Sequence, residues 1–248
     1  MLNCEKAIEQ FNNRTMKLMK DFKKIENDLG IVFKDKNLLK QSLVHRSYLN
    51  EHSDFELDHN ERLEFLGDAV LEIAVTEFLY FKFPNKPEGD LTNLRASLVN
   101  AKILSQVAQG LNIDDDLYLS RGESKDKNSK ARQYILADAV EAIIGAIFID
   151  QGMRSAKKFI KDKILCNLKQ VIEQQLYLDP KSTFQEKSQE TYGITPHYNV
   201  ISESGPDHAK IFTVGLYVGE EFVAQGKGES KQEAQVEAAT AGIKKKKW

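Results

Sequence analysis

The sequence predicts an all-α domain followed by a small α+β domain of order α-β-β-β-α. Three observations carry this expectation. Up to about residue 178, apolar residues recur at spacings of three and four, with no strand alternation before about residue 190. From Asp179 onward, three short runs rich in β-branched and aromatic residues follow one another. An Ala-rich helical stretch from Ser230 to Ile243 then closes the pattern. The expected domains are residues 1–178 and 179–248.

Taken in order, helical spacing runs through Phe22, Ile25 and Leu29, then through Leu38, Leu39 and Leu43. It resumes through Leu63, Leu66, Val70, Ile73 and Ala74. Gly30, Pro84, Pro87, Gly110, Gly122 and Gly152 punctuate these segments. Polar stretches at 50–60 and 121–131 read as loops. Residues 1–20 carry a helical pattern of their own. Asp179-Pro180 is expected to end the last helix of the first domain. Lys181 to Tyr192 reads as a helix broken by Gly193 and Pro196. Strands are expected over 197–201, 210–218 and 221–226, with Ser204-Gly205-Pro206-Asp207 as a turn. The helices should pack on one face of a small antiparallel sheet.

Composition narrows the class. The chain has 248 residues, 41% apolar and 29% charged, which excludes a disordered chain. The longest apolar run, Ile143 to Ile149, is far shorter than the ~18–20 residues of a membrane span. Two cysteines, Cys4 and Cys166, form no disulfide framework and no Cys-rich zinc site. The N-terminus shows no basic segment followed by an apolar one, so a cytoplasmic protein is expected. Net charge is −2, and both parts are near neutral. Any nucleic-acid function must therefore rest on where charges sit, not on their total.

The chemistry lies in misplaced carboxylates. Tyr134 to Ile149 is apolar nearly all round and should form a buried helix, yet it carries Asp138 and Glu141 at i, i+3. Unpaired buried carboxylates are costly without a partner or a metal. In Asn60 to Ala74, Glu61, Glu64 and Asp68 fall within about 60° on one helix face. Such acids commonly form a solvated face, and Arg62 or Arg95 is available to pair with some of them. If the two faces meet, carboxylates converge without His or Cys. That donor set selects hard cations, Mg²⁺ or Mn²⁺, over Zn²⁺, and paired Mg²⁺ ions suit phosphodiester hydrolysis.

At these residues the chain resembles the ribonuclease III family. Asn60-Glu61-Arg62-Leu63-Glu64-Phe65-Leu66-Gly67-Asp68 is similar to the nine-residue signature of that family. Residues 42–48 resemble the preceding segment, with Val44 where Thr is commoner. Glu88 to Ala96 resembles the next helix start, and Leu136 to Ala142 the second metal-binding segment. The resemblance spans about residues 20–243 and implies a helical catalytic and dimerisation domain that cuts double-stranded RNA as a homodimer. It assigns Glu64, Asp68, Asp138 and Glu141 to Mg²⁺, with Mn²⁺ able to substitute, and Asp68 and Glu141 to catalysis. Glu61 and Glu88 match acids of the cleft and the subunit contact. The implied products carry 5′-phosphate and 3′-hydroxyl ends with short 3′ overhangs. The implied substrates are precursor ribosomal RNA and other structured transcripts. No organic cofactor and no membrane partner are implied.

Residues 179–248 resemble the double-stranded RNA-binding domain, through Asp179 to Glu186, Gly205 to His208 and Gly226 to Ala234. A-form RNA is read by shape, 2′-hydroxyls and phosphates over about 16 base pairs. Gln185 and Glu186 would meet one minor groove and His208 the next. Ser230 and Lys231 would hold phosphate at a helix start. Gln232 and Gln235 stand at positions where lysines are expected, which predicts weaker binding and a shallower salt dependence. Gly226-Lys227-Gly228 reads as a turn. His45, His52, His59 and His197 lack metal spacing, and Lys244 to Lys247 read as a solvated tail. Arg121, Lys125, Lys127, Lys130 and Arg132 suit either solvent or backbone phosphate, solvent being the ordinary fate. The rival functions are a non-cleaving RNA-binding regulator and a helical hydrolase of small phosphate compounds.

Overall fold

A computed structural model describes residues 21–127, 129–175, 177, 179–206 and 210–248. The expected helix within 1–20 and the expected RNA contact His208 lie outside the described residues. The chain divides into two compact units, one ending at Val171 and the other running from Ile172 to Trp248.

The first unit is helical: α1 (Phe22–Leu29), α2 (Lys36–Ser42), α3 (Arg46–Glu51), α4 (Glu61–Lys82), α5 (Glu88–Val99), α6 (Ala101–Gly110), α7 (Arg121–Lys125), α8 (Lys130–Gln151), α9 (Met153–Lys163) and the start of α10 (Leu168–Glu173). Its centre is α8. Ala139, Val140, Ala142, Ile143, Ile144, Ala146 and Ile147 are fully buried, so apolar positions occur all round the helix. Helices α4, α6, α9 and α2 pack around it. Local signals set the ends. Asp21 caps α1, and Gly30 closes it in the left-handed region at φ 74°. Ser129 caps α8 by accepting from the Arg132 N–H, and Gly152 at φ 80° ends it.

Two expectations change here. The polar stretch 121–131 contains α7, capped by Ser120, and the first residues of α8. Arg132 is 3% exposed, and its Nε donates to Asp114 Oδ1 at 2.7 Å. It is thus a buried pair, not a surface contact; the folded chain brings Asp114 to it across a gap in sequence that spacing does not reveal. Asp179-Pro180 does not end a helix either. α10 stops at Glu173, and Asp179 begins α11 (Pro180–Tyr192) by accepting from Ser182 N at 3.1 Å, with Pro180 in the first turn.

The second unit continues with β1 (His197–Ser204), β2 (Ile211–Val218), β3 (Glu221–Gly228) and α12 (Lys231–Lys246). The strands form one antiparallel sheet in the order β1-β2-β3. α12 packs on β2 and β3, and α11 packs on α12. Phe184, Leu216, Val218, Val223, Ala224, Ala238 and Ala239 make the core. The strand expected over 221–226 runs on to Gly228, so Gly226-Lys227-Gly228, read as a turn, lies in β3. A Cβ on Gly226 would stand 2.2 Å from Ala238 N, so these glycines let the helix backbone approach the strand.

Candidate metal centre

Asn60 anchors the site. It is 3% exposed, its N–H donates to Val44 O at 2.8 Å, and its Nδ2 donates to Ser42 O at 3.3 Å. This ties the start of α4 to the segment after α2. That segment is held by a parallel bridge between Val44 and Tyr118. Glu61, Glu64 and Asp68 follow along α4.

The α4–α8 crossing brings Glu64 and the acids of α8 together. A Cβ on Gly67 would lie 1.7 Å from Glu141 O, and a Cβ on Gly145 would lie 2.2 Å from Leu63 O. The two helices therefore touch backbone to backbone through reciprocal glycines. The close crossing brings carboxylate oxygens of Glu64, Asp138 and Glu141 within 4.8 Å of one another, each residue half-buried. Neither glycine stood out as functional in the sequence. The available signal was a glycine inside each of two strongly helical segments.

The other expected acids are placed differently. Asp68 is exposed and stands outside the three-residue group, yet it is the leading charge acting on Glu141. Glu61 lines the same depression of about 600 Å³ as Glu64, Asp138, His45, Ser47 and Tyr134. It faces Arg46 at 3.6 Å and His59 at 3.8 Å. Glu88, at the start of α5, accepts from Thr92 Oγ1 at 3.2 Å and lines a separate depression with Tyr80 and Arg95. Phe65 in the signature segment is 82% exposed. Arg95 pairs with Glu72 at 2.8 Å, and neither it nor Arg62 reaches the three acids. Among the described residues, Glu64, Asp138 and Glu141 have no ion pair with Lys or Arg.

The electrostatics follow. Burial, then the charges of Asp138, Glu61 and Asp68, push the Glu64 carboxyl up to about 7. Burial, then Asp68, Asp138, Glu64 and Glu72, push Glu141 up to about 8. Burial and Glu61 raise Asp138 as well. Half-buried acids that repel one another without a counter-charge either keep their protons or take up a cation, and an all-carboxylate donor set fits a hard divalent ion. A pH dependence follows. The folded values of Glu64 and Glu141 lie above their ordinary 4.5, so ionising these groups opposes folding. Their stabilising contribution is full below about pH 4.5 and is lost as pH rises through about 7 to 8. In chelator, the melting temperature should therefore carry a component that falls over that window. Mg²⁺ should remove or invert it, because the ion binds the deprotonated forms. Identical profiles with chelator and with Mg²⁺ would show that these acids hold no ion.

Comparison with known proteins gives the relationship. The Ribonuclease-III-like family model matches residues 35–168, and the double-stranded RNA binding motif matches residues 180–246. Ribonuclease 3 of Borreliella afzelii is 41% identical over 234 residues, covering 94% of each chain. The chain belongs to the ribonuclease III family. Ribonuclease 3 of Carboxydothermus hydrogenoformans is 42% identical, over 88% of this chain and 93% of its own. The solved nuclease domain of ribonuclease III from Campylobacter jejuni, described for its region involved in dimer formation, is 44% identical. It superposes with a TM-score of 0.54 over 59% of this chain and 98% of its own. The helical ribonuclease III-type domain and the following double-stranded RNA-binding fold are thus the two parts of this chain, as its sequence led one to expect. The three-acid group of this ribonuclease III relative lies inside the first match, at Glu64, Asp138 and Glu141.

Proposed function

We propose that the chain is a divalent-metal-dependent endoribonuclease that cleaves double-stranded RNA. The observation that carries this reading is the convergence of Glu64, Asp138 and Glu141 on a glycine crossing, in a chain that also holds a double-stranded RNA binding motif. Glu64, Asp68, Asp138 and Glu141 would hold Mg²⁺, for which Mn²⁺ can substitute. When bound, the ion lowers the pKa of water and stabilises charge developing on the phosphate. The protein's own part is to hold the carboxylates close together, half-buried and without a counter-charge. Glu64 and Glu141 give up their protons in the window where metal binds, and Asp68 adds negative charge at the open edge of the group. Glu61, held by Arg46 and His59, lines the depression where the scissile strand would enter.

Attack of water on the phosphorus in line with the P–O3′ bond, which breaks as the 3′ oxygen leaves and takes up a proton, would leave 5′-phosphate and 3′-hydroxyl ends. Two copies cutting opposite strands would leave short 3′ overhangs, and Phe65, exposed at 82% on α4, suits an interface between copies. Glu88 belongs to the same subunit-contact reading. Gln185 and Glu186 are exposed on α11, Ser230 caps α12, and Lys231 begins it, so all four are available to a duplex. Among the described residues no helix is long and apolar enough to cross a membrane. We read the enzyme as cytoplasmic, acting on precursor ribosomal RNA and other structured transcripts, with domains at 1–178 and 179–248.

The test is cleavage of one labelled RNA duplex against a single-stranded control, with Mg²⁺, with Mn²⁺ and with chelator. Cutting of the duplex alone, and only with metal, is the expected result. Binding without cutting in both metals would replace the enzyme by a regulator.

A further inference from the structure

Several lysines of the C-terminal unit are neutralised by carboxylates: Lys187 by Glu190 at 2.8 Å, Lys246 by Glu221 at 3.0 Å and Lys210 by Glu203 at 3.5 Å. Lys181 is held differently. Its side chain crosses from α11 to α12, where the ammonium donates to Gln235 Oε1 at 2.7 Å. The same ammonium lies 5.3 Å from the centroid of the Tyr198 ring. Both partners are neutral. Among the described residues no carboxylate stands within ion-pair distance of Lys181. The acid beside it in sequence, Asp179, accepts from Ser182 N at 3.1 Å and from Ser182 Oγ at 2.6 Å.

The ammonium is therefore fixed in position without an ion pair, the Asp179 charge acting on it only from beyond pairing distance. Ordering a long side chain costs rotamer entropy, and a partly exposed bond to an amide returns little. As a staple between helices the arrangement is poor. As a placed cation for an external anion it is well suited. Its location agrees. Lys231 and Gln235 are four residues apart on α12 and share a face. The Lys181 ammonium beside Gln235 is thus about one helical turn from Lys231.

We propose that Lys181 contacts a backbone phosphate of the RNA duplex, supplying from α11 the positive charge that residue 235 lacks. The proposal rests on the double-stranded RNA reading of this unit. It also corrects the weight given to Gln235, whose amide becomes the holder of a cation rather than a missing one. Gln232 alone remains as a lost charge.

The experiment measures binding of the full chain to a labelled RNA duplex of about two turns, in chelator, across a salt series. A single-stranded control runs beside it, and melting temperatures are recorded for every variant. Lys181→Met should weaken duplex binding about 3- to 10-fold at low salt and flatten the log–log salt slope by just under one unit. Gln235→Lys added to Lys181→Met should restore the slope. Lys181→Arg keeps the charge and should keep the wild-type slope. Gln235→Glu should weaken binding with an equal or higher melting temperature, part of the loss coming from its own negative charge. A purely structural staple predicts that Lys181→Met, measured below its melting transition, binds with the wild-type salt slope, and that result overturns the proposal. If Lys181→Met lowers the melting temperature, Lys181→Arg and the double variant decide. Failure of the wild type to prefer the duplex would instead remove the RNA reading of the unit.

Discussion

Glu141→Gln should abolish duplex cleavage while leaving duplex binding intact. The substitution keeps shape and packing, and it removes the acid on which burial, Asp68, Asp138 and Glu64 all act. Glu141 is also the residue whose backbone carbonyl meets Gly67 at the crossing, so its side chain starts from a rigid point. A rate loss of about 10³-fold or more is expected, equivalent to about 4 kcal/mol of transition-state stabilisation. In chelator near pH 8 the variant should melt no lower than wild type, because a repelled, half-buried carboxylate has become a neutral amide. The two readouts move in opposite directions, which separates loss of chemistry from loss of fold. Cleavage near the wild-type rate would place the reaction elsewhere in the molecule.

Gly67→Ala should be the most damaging single-methyl change in the first unit. Its Cβ would stand 1.7 Å from Glu141 O, which is backbone and has no rotamer to change. The α4–α8 crossing would have to open, at a cost of about 3 kcal/mol, the upper end of the usual range for overpacking. For a unit of this size that lowers the melting temperature by roughly 10 °C. Separating the helices also pulls Glu64 away from Asp138 and Glu141, so metal-dependent cleavage should fall even at temperatures where the protein is folded. Gly145→Ala should act in the same direction from the opposite helix, where the Cβ would lie 2.2 Å from Leu63 O. An alanine at 67 that melted with the wild type and cut at the wild-type rate would show that this crossing does not set the centre.

The two glycines also show where sequence reasoning stopped. Asp138 and Glu141 were legible because acids at i, i+3 in an otherwise apolar helix carry an energetic cost that periodicity exposes. Glu64 was legible as part of an acidic face. Asp68 shares that face by helical angle, yet it is exposed and outside the three-residue group, because angle gives a direction and not a distance across a helix pair. Arg132 looked like one of several loop cations. Its burial against Asp114 depends on a pairing 18 residues apart. Lys181 was legible only as the start of a helix, and only the packing of α11 on α12 brings it to Gln235.

From residue order alone came the order of helices and strands, the change of texture near Asp179 and the carboxylates that carry the chemistry. These follow from local rules: periodicity, capping, and the cost of burying charge. Tertiary structure decided which acids meet, which cations are neutralised and which glycines are indispensable. Those properties depend on distances between segments far apart in the chain, and a crossing that tolerates no Cβ is set by two backbones at once.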